Sequence, residues 1–188
     1  MALTAKRVIF LDRDGTLNVD KQFVHRIEQV ELIPAVIDGL RILEGQGFLL
    51  AIVTNQSGVA RGRYPESDVQ KVNEYIRDIL AEQGVHIRTV VYCPHLVEGS
   101  VAKYAIDCEC RKPKTGLAKQ VEPVIGTIDY ANSWSVGDKP ADHEFGVKLG
   151  MKTVLIRSEY WSMTPDPPPT LVVNSLLEAA QKIRAQMP

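Results

Sequence analysis

The chain has 188 residues, of which 45% are hydrophobic and 24% are charged, and its formal net charge is -1. These values are typical of a globular protein with a sizeable core. The near-neutral charge gives no electrostatic reason to expect nucleic acid or an anionic membrane as a partner. No apolar run reaches the length of a membrane span, and the N-terminus leads directly into a strand pattern instead of a signal sequence. We therefore expect one domain over residues 1–188, monomeric and cytoplasmic.

Short apolar runs alternate with helical patterns along the chain. Strands are predicted at residues 7–11, 48–54, 88–92, 133–137, 152–156 and 170–174. Helices are predicted after Pro34, after Pro65, at 115–124, at 141–149 and at 175–186. This order, with strands apolar on both faces, predicts a doubly wound, mostly parallel α/β sheet. The segments 18–33 and 93–115 are too long to be simple connections, and such loops are usually functional.

Polar side chains gather where four of these patterns end. They are Asp12 and Asp14; Thr54, Asn55, Gln56 and Ser57; Arg111 and Lys112; and Asp138, Lys139 and Asp142. Ligands of open α/β sheets bind beyond the carboxyl ends of the strands, so we expect these groups to converge on one crevice. Carboxylates hold Mg²⁺ and can act as nucleophiles toward phosphorus, whereas cations and hydroxyl groups stabilise phosphoryl oxygens. The pattern therefore predicts magnesium-dependent phosphate chemistry.

Four segments, "DRDGT", "VTNQS", the lysine of "CRKPK" and "GDKPAD", occur in this order along the chain. Together they resemble the four motifs of the haloacid dehalogenase superfamily of phosphatases. The resemblance spans most of the chain. It implies a Rossmann-like fold without a cap domain and a phosphoric monoester hydrolase activity.

The resemblance also implies a role for each motif residue. Asp12 would be the nucleophile that forms an aspartyl-phosphate, and Asp14 would be the general acid and base. Thr54 would hold the phosphoryl group and Lys112 would neutralise it. Magnesium would be bound by Asp12, Asp138 and the backbone carbonyl of Asp14.

Simpler interpretations exist for some of these residues. Asp12 and Asp14 could merely cap the turn that follows them. Asp142 could orient its neighbours or only favour a helix N-terminus. A binding module with a degenerate site is a further alternative, which is disfavoured because every catalytic position is filled.

Three cysteines and one histidine lie close together in the sequence, at Cys93, His95, Cys108 and Cys110. They make a complete Cys₃His set for tetrahedral Zn²⁺, which is typical of a closed structural site. Zinc would stabilise the loop 93–110 and would fix the two cations that follow it. The alternative is three unconnected thiols and a surface histidine.

The cysteine loop narrows the resemblance to two groups of small enzymes, the heptose 1,7-bisphosphate phosphatases and the histidinol-phosphate phosphatases. The segments "NQSGVARGRY" and "EGSVAKY" favour the heptose enzymes. That resemblance implies a sugar phosphate substrate, the 7-phosphate of D-glycero-D-manno-heptose 1,7-bisphosphate, in nucleotide-heptose biosynthesis for lipopolysaccharide core or related glycans. Histidinol phosphate remains the alternative substrate.

Substrate contacts are expected from the loops around the motifs, since no cap domain is available to make them. The candidates are Arg13, Asp20, Lys21, Gln22, Phe23, Asn55, Gln56, Ser57, Arg111 and Lys139. Arg13 alternates with Asp12 and Asp14 along an extended chain, so its side chain is expected to be free for substrate or solvated. For Arg61 and Arg63 a substrate contact and a solvated loop are equally plausible.

Overall fold

The computed structural model describes residues 5–186, which form a six-stranded parallel sheet. The strands are β1 (Val8–Leu11), β2 (Leu49–Asn55), β3 (Ile87–Cys93), β4 (Trp134–Gly137), β5 (Lys152–Ile156) and β6 (Leu171–Val173). Their order across the sheet is β3-β2-β1-β4-β5-β6, and each neighbouring pair is parallel. The predicted doubly wound sheet is confirmed.

One helix lies in each connection from β1 to β5, and a fifth follows β6, as the sequence pattern predicts. The helices are α1 (Val36–Gly45), α2 (Glu66–Glu82), α3 (Gly116–Ile125), α4 (Pro140–Lys148) and α5 (Leu176–Ala185). Two 3₁₀ segments, Ile27–Gln29 and Tyr130–Asn132, lie in the connections. The predicted helix cap at Ser175 is confirmed, because its hydroxyl oxygen accepts a hydrogen bond from the backbone N–H of Glu178 at 3.2 Å.

Both faces of the sheet are covered, which explains why the strands are apolar throughout. In β1, Ile9 and Leu11 pack into one core with side chains of α1, α2 and α5. Val8 and Phe10 point the other way, into a second core with side chains of α3 and α4. The alternation of side chains along a strand thus divides one apolar run between two helical layers.

The position of β1 in the sheet decides where a ligand can bind. The chain winds outward from β1 through β2 and β3, and then restarts on its other side at β4. Such a switch point opens a crevice beyond the carboxyl end of the central strands. Within residues 5–186 neither long connection forms a separate cap domain over this edge. None of the helices described there is long and apolar enough to cross a membrane.

Candidate active site

A buried ion pair lies at the carboxyl end of β1. The Nζ of Lys112 donates to Asp12 Oδ1 at 2.9 Å, to Asp142 Oδ1 at 2.5 Å and to the Val53 carbonyl at 2.6 Å. Burial alone would raise the pKa of Asp12, but the charges of Lys112 and Lys139 outweigh it and hold that pKa below its ordinary value. Asp12 is therefore an ionised carboxylate that is shielded from bulk water.

Asp142 is buried beside this pair and is fully engaged with other groups of the protein. Its Oδ1 accepts from Lys112, and its Oδ2 accepts from the backbone N–H of Lys139 at 3.0 Å. Its backbone carbonyl accepts from the hydroxyl of Ser135 at 2.7 Å. Asp142 thus orients Lys112 and also caps the start of α4. Both roles considered from the sequence, orienting its neighbours and favouring a helix N-terminus, apply to it.

The ammonium group of Lys139 lies close to oxygen atoms of three aspartates. The Nζ of Lys139 lies 3.2 Å from the Asp14 carbonyl oxygen, 3.3 Å from Asp138 Oδ1 and 4.0 Å from Asp12 Oδ2. Burial and the nearby Asp12 charge raise the pKa of Asp138 to about 7. The site therefore favours additional positive charge. These hard oxygen donors suit Mg²⁺, and they are the same three groups that the sequence motifs nominate.

A hydrogen-bonded bridge joins Asp14 to Thr54. The Nε2 of Gln56 donates to Asp14 Oδ2 at 2.8 Å and to Thr54 Oγ1 at 3.0 Å. Asn18 Nδ2 donates to the other Asp14 oxygen at 2.9 Å. The carboxyl group of Asp14 is consequently fixed between the strand ends, while 14% of its side chain stays exposed. Gln56, predicted to contact substrate, also positions these two side chains.

The expectation that Arg13 is solvated or free for substrate is wrong. Its side chain is 0% exposed and pairs with Asp14 Oδ2 at 2.8 Å. It also donates to Asn73 Oδ1, to the Val24 carbonyl and to Gln56 Oε1, at 2.8, 3.0 and 3.1 Å. The side chain of Arg13 does leave the backbone on the other side from those of Asp12 and Asp14, as expected for an extended chain. It points into the protein interior, however, and not toward solvent or substrate. Arg13 is a positioning residue for Asp14.

Asn55 fastens the Lys112 segment to the end of β2. Its amide makes two reciprocal hydrogen bonds of 3.0 Å with the backbone N–H and carbonyl of Lys112. The neighbouring Arg111 donates to the carbonyl of His95 at 3.2 Å. The cysteine loop and β2 therefore jointly set the positions of Arg111 and Lys112.

Two neighbouring chambers lie at this end of the sheet, and the inner one contains the buried ion pair. The inner chamber has a volume of about 240 Å³ and is lined by Asp12, Asp14, Thr54, Asn55, Ser57, Arg111, Lys112, Lys139, Ala141 and Asp142. The outer chamber has a volume of about 290 Å³ and is lined by Asp14, Asp20, Gln22, Phe23, Asn55, Gln56, Ser57, Lys139 and Tyr160. Asp14, Asn55, Ser57 and Lys139 face both. A molecule with a phosphate at one end can thus extend from the inner into the outer chamber.

Asp20 is the acidic group of the outer chamber. Its Oδ2 accepts from Lys139 Nζ at 3.2 Å and from the Tyr160 hydroxyl at 2.8 Å, and its Oδ1 accepts from the Gln22 N–H at 2.9 Å. Burial would raise the pKa of Asp20, but Lys139 and Tyr160 more than offset it and lower that pKa. Asp20 therefore offers a charged acceptor at the chamber wall.

The remaining predicted contacts divide into two groups. Lys21 pairs with Glu31 at 2.8 Å and lines neither chamber, so its predicted substrate contact finds no support here. The guanidinium of Arg63 lies 4.3 Å from the ring centroid of Phe23, so it contacts a ring that lines the outer chamber. Arg61 and Arg63 line a separate surface cavity of about 270 Å³.

The four predicted zinc ligands form one cluster. Sγ of Cys108 lies 3.5 Å from Cys93 Sγ and 3.4 Å from Cys110 Sγ, and His95 Nδ1 lies 3.7 and 3.3 Å from Cys93 and Cys110. Ligand atoms at the corners of a zinc tetrahedron are separated by about 3.5–3.8 Å. The hydrogen bond between Cys93 and Cys110 lowers the pKa of Cys110 to about 5 and raises the pKa of Cys93, so the two thiols share one proton. The cluster can hold Zn²⁺.

Asn18, Asn73 and Tyr160 were not foreseen from the sequence as residues of the site. Asn18 donates to the Asp14 carboxylate. Asn73, on α2, holds the guanidinium of Arg13, and Tyr160, in the connection after β5, lines the outer chamber. Asn73 carried a weak signal, since it is a polar residue next to the apolar stripe of its helix. Tyr160 follows a strand that ends at the active edge, which is the one signal that could have nominated it.

The doubly wound sheet, with Asp12 and Lys112 buried together at its switch point, has the architecture that the haloacid dehalogenase motifs imply. Comparison with known proteins identifies the chain as a phosphoric monoester hydrolase of this superfamily. A family model described as "Polynucleotide kinase 3 phosphatase" matches residues 7–153. The D-glycero-beta-D-manno-heptose-1,7-bisphosphate 7-phosphatase of Escherichia coli K12 is 39% identical over 95% of this chain and 94% of its own. The protein of the same name from Haemophilus influenzae is 44% identical over 81% and 82% of the two chains.

A solved structure has the same fold. It is D,D-heptose 1,7-bisphosphate phosphatase from B. bronchiseptica, complexed with magnesium and phosphate. The two structures superpose with a TM-score of 0.81 over 96% of this chain and 99% of the other, at 24% sequence identity. The chain belongs to the family of the D-glycero-D-manno-heptose 1,7-bisphosphate 7-phosphatases.

Proposed function

We propose that this protein hydrolyses the 7-phosphate ester of D-glycero-D-manno-heptose 1,7-bisphosphate, in the beta form that its relatives' names specify. Relatives with that name are 39 and 44% identical to it over most of its length. The observation that carries the proposal in the structure is the ionised, buried Asp12 at the floor of an inner chamber that adjoins a larger outer one. The inner chamber suits a phosphate and the outer chamber suits a sugar.

The reaction begins with attack by a carboxylate oxygen of Asp12 on the phosphorus atom. The phosphorus–ester oxygen bond breaks, and Asp14 gives its proton to the departing sugar oxygen. Asp14 then takes a proton from water, which attacks the phosphorus and releases inorganic phosphate from Asp12. The hydroxyl of Thr54 and the ammonium of Lys112 stabilise the phosphoryl oxygens throughout.

Magnesium would be held by the carboxylates of Asp12 and Asp138 and by the Asp14 carbonyl. When bound, the ion would neutralise part of the phosphoryl charge. Lys139 is free to move from these oxygens toward Asp20, which already contacts its ammonium at 3.2 Å.

A structural zinc ion would be held by Cys93, His95, Cys108 and Cys110. Its contribution would be to fix the loop that carries Arg111, through the 3.2 Å hydrogen bond from that guanidinium to the His95 carbonyl. We expect about one equivalent of zinc in the purified protein. Elemental analysis that detects no zinc would remove this part of the proposal.

The covalent mechanism is tested with two variants of the site. Asp12→Asn should lower kcat by more than about 10³-fold, because the nucleophile is lost. With acetyl phosphate, whose leaving group departs without a proton, Asp14→Asn should accumulate a covalent adduct with the mass of one phosphoryl group after acid quenching, since water is no longer activated. Asp78→Asn, on the exposed face of α2, is the matched control. Appreciable turnover by Asp12→Asn would contradict the mechanism.

The substrate is tested by measuring kcat/KM side by side. We expect the value for heptose 1,7-bisphosphate to exceed that for histidinol phosphate by about 100-fold or more, because Asp20 and Lys139 can pair with sugar hydroxyl and phosphate groups. A higher value for histidinol phosphate would overturn the assignment.

A further inference from the structure

An aromatic side chain from outside the four motifs forms part of the outer chamber. Tyr160 lies in the connection between β5 and β6 and lines the chamber together with Phe23, Asp20 and Lys139. Its side chain is among the large hydrophobic ones that remain exposed, at 41%. It is thus available to a molecule that enters the chamber.

The ring of Tyr160 is held in place in spite of its exposure. Its hydroxyl donates to Asp20 Oδ2 at 2.8 Å, and the ammonium of Lys139 lies 4.5 Å from its centroid. Ser158 ties the same turn to the sheet, since its hydroxyl donates to the Asp138 carbonyl at 2.6 Å and accepts from the Tyr160 N–H at 3.3 Å. The indole N–H of Trp161 donates to the Ile156 carbonyl at 3.0 Å. A fixed aromatic ring loses little conformational freedom when it binds a ligand.

The surroundings of the ring indicate what it can contact. A tyrosine presents an apolar face and a polar tip, and ligand pockets combine such surfaces with a few well-placed polar groups. A carbohydrate has the complementary chemistry, with C–H groups on its faces and hydroxyl groups at its edges. Asp20 and Lys139 lie beside the ring and can accept from and donate to those hydroxyl groups.

We propose that Tyr160 is a specificity-determining residue that packs against the carbohydrate body of the substrate while the transferred phosphate occupies the inner chamber. This role rests on the proposed function, since it assumes a sugar phosphate substrate. It predicts that Tyr160 matters for large substrates and is irrelevant for a small one that fills the inner chamber alone.

The experiment compares heptose 1,7-bisphosphate with acetyl phosphate in variants of Tyr160. Tyr160→Ala should lower kcat/KM about tenfold for the heptose substrate, mostly through KM, and less than twofold for acetyl phosphate. Tyr160→Phe keeps the ring and should stay within about threefold of wild type on both. Tyr75→Ala is the matched control, because Tyr75 is 38% exposed and lines a different surface cavity.

Equal losses on the two substrates would overturn the proposal, because Tyr160 would then act only through the Asp20 and Asp138 segments. Unchanged kcat/KM on both would overturn it as well. Tyr160→Leu supplies the same ratio if the alanine variant does not fold. Failure of the wild-type protein to hydrolyse the heptose substrate refutes the proposed function, and the Tyr160 ratio is then measured with the sugar phosphate that the protein hydrolyses best.

Discussion

Replacing Arg13 by methionine should destabilise the protein strongly, although Arg13 itself lines neither chamber. Methionine fills most of the apolar volume of the side chain but cannot donate. The change removes the charge partner of Asp14 and the guanidinium donor to Asn73 Oδ1 and to the Val24 carbonyl. Asn73 Oδ1, the Val24 carbonyl and Gln56 Oε1 each lose one hydrogen bond in the interior. The carboxylate of Asp14 loses three.

The magnitude follows from burial. Removing one partner of a buried ion pair costs about 3–5 kcal/mol. Asp14 keeps the hydrogen bonds from Asn18 and Gln56 and is 14% exposed, which places its share at the low end of that range. An unsatisfied buried acceptor costs about 1–3 kcal/mol. We therefore expect a loss of about 4 kcal/mol in the free energy of unfolding, a large part of the 5–15 kcal/mol of a typical protein.

Urea denaturation followed by circular dichroism measures this loss directly. Arg77→Met removes a half-exposed guanidinium from α2 and should change the free energy of unfolding by less than about 0.5 kcal/mol. Arg13→Lys should fall between the two, because an ammonium cannot reproduce the fork that contacts Asp14. A loss below about 1 kcal/mol for Arg13→Met would refute the reasoning.

Four further changes probe other parts of the structure. Gly15→Ala should lower kcat more than about tenfold, because its φ is +85° and a Cβ there would collide with the Asp138 carboxylate. Gly84→Ala shares the positive φ but meets nothing within 4 Å, so it should reduce stability without reducing kcat. Ser175→Ala should lower the free energy of unfolding by about 1 kcal/mol and leave kcat unchanged, since it removes only the cap of α5. Cys110→Ser should reduce the bound zinc measured by elemental analysis and lower kcat/KM; full zinc content would contradict the ligand assignment.

The fold could be predicted closely because its signals are local and repetitive. Strand and helix boundaries fall within about two residues of the expected ones. The spacing of the apolar residues and the positions of the terminal Pro, Gly and Ser residues indicate the same boundaries. The meeting of Asp12, Thr54 and Asp138 also followed from the sequence, because parallel strands deliver their carboxyl ends to one edge. Lys112 lies in the connection before α3, and its place in the site was implied by the motif resemblance. The cysteine cluster was visible because its members are close along the chain.

The contacts of individual side chains could not be predicted in the same way. Alternation along an extended chain predicted the direction of the Arg13 side chain but not the acceptors it meets. These come from the turn after β2, from α2 and from the loop before α1. Lys21 is adjacent to Asp20, yet its ammonium reaches Glu31 and not the chamber. Tyr160 lies in an irregular connection, where no periodic pattern reports the direction of a side chain.

The most direct test of the central claim is ³¹P NMR of heptose 1,7-bisphosphate incubated with the protein and Mg²⁺. We predict that the resonance of the 7-phosphate disappears as inorganic phosphate grows, while the resonance of the 1-phosphate remains. Loss of the 1-phosphate first, or no phosphate release from this compound, would contradict the account.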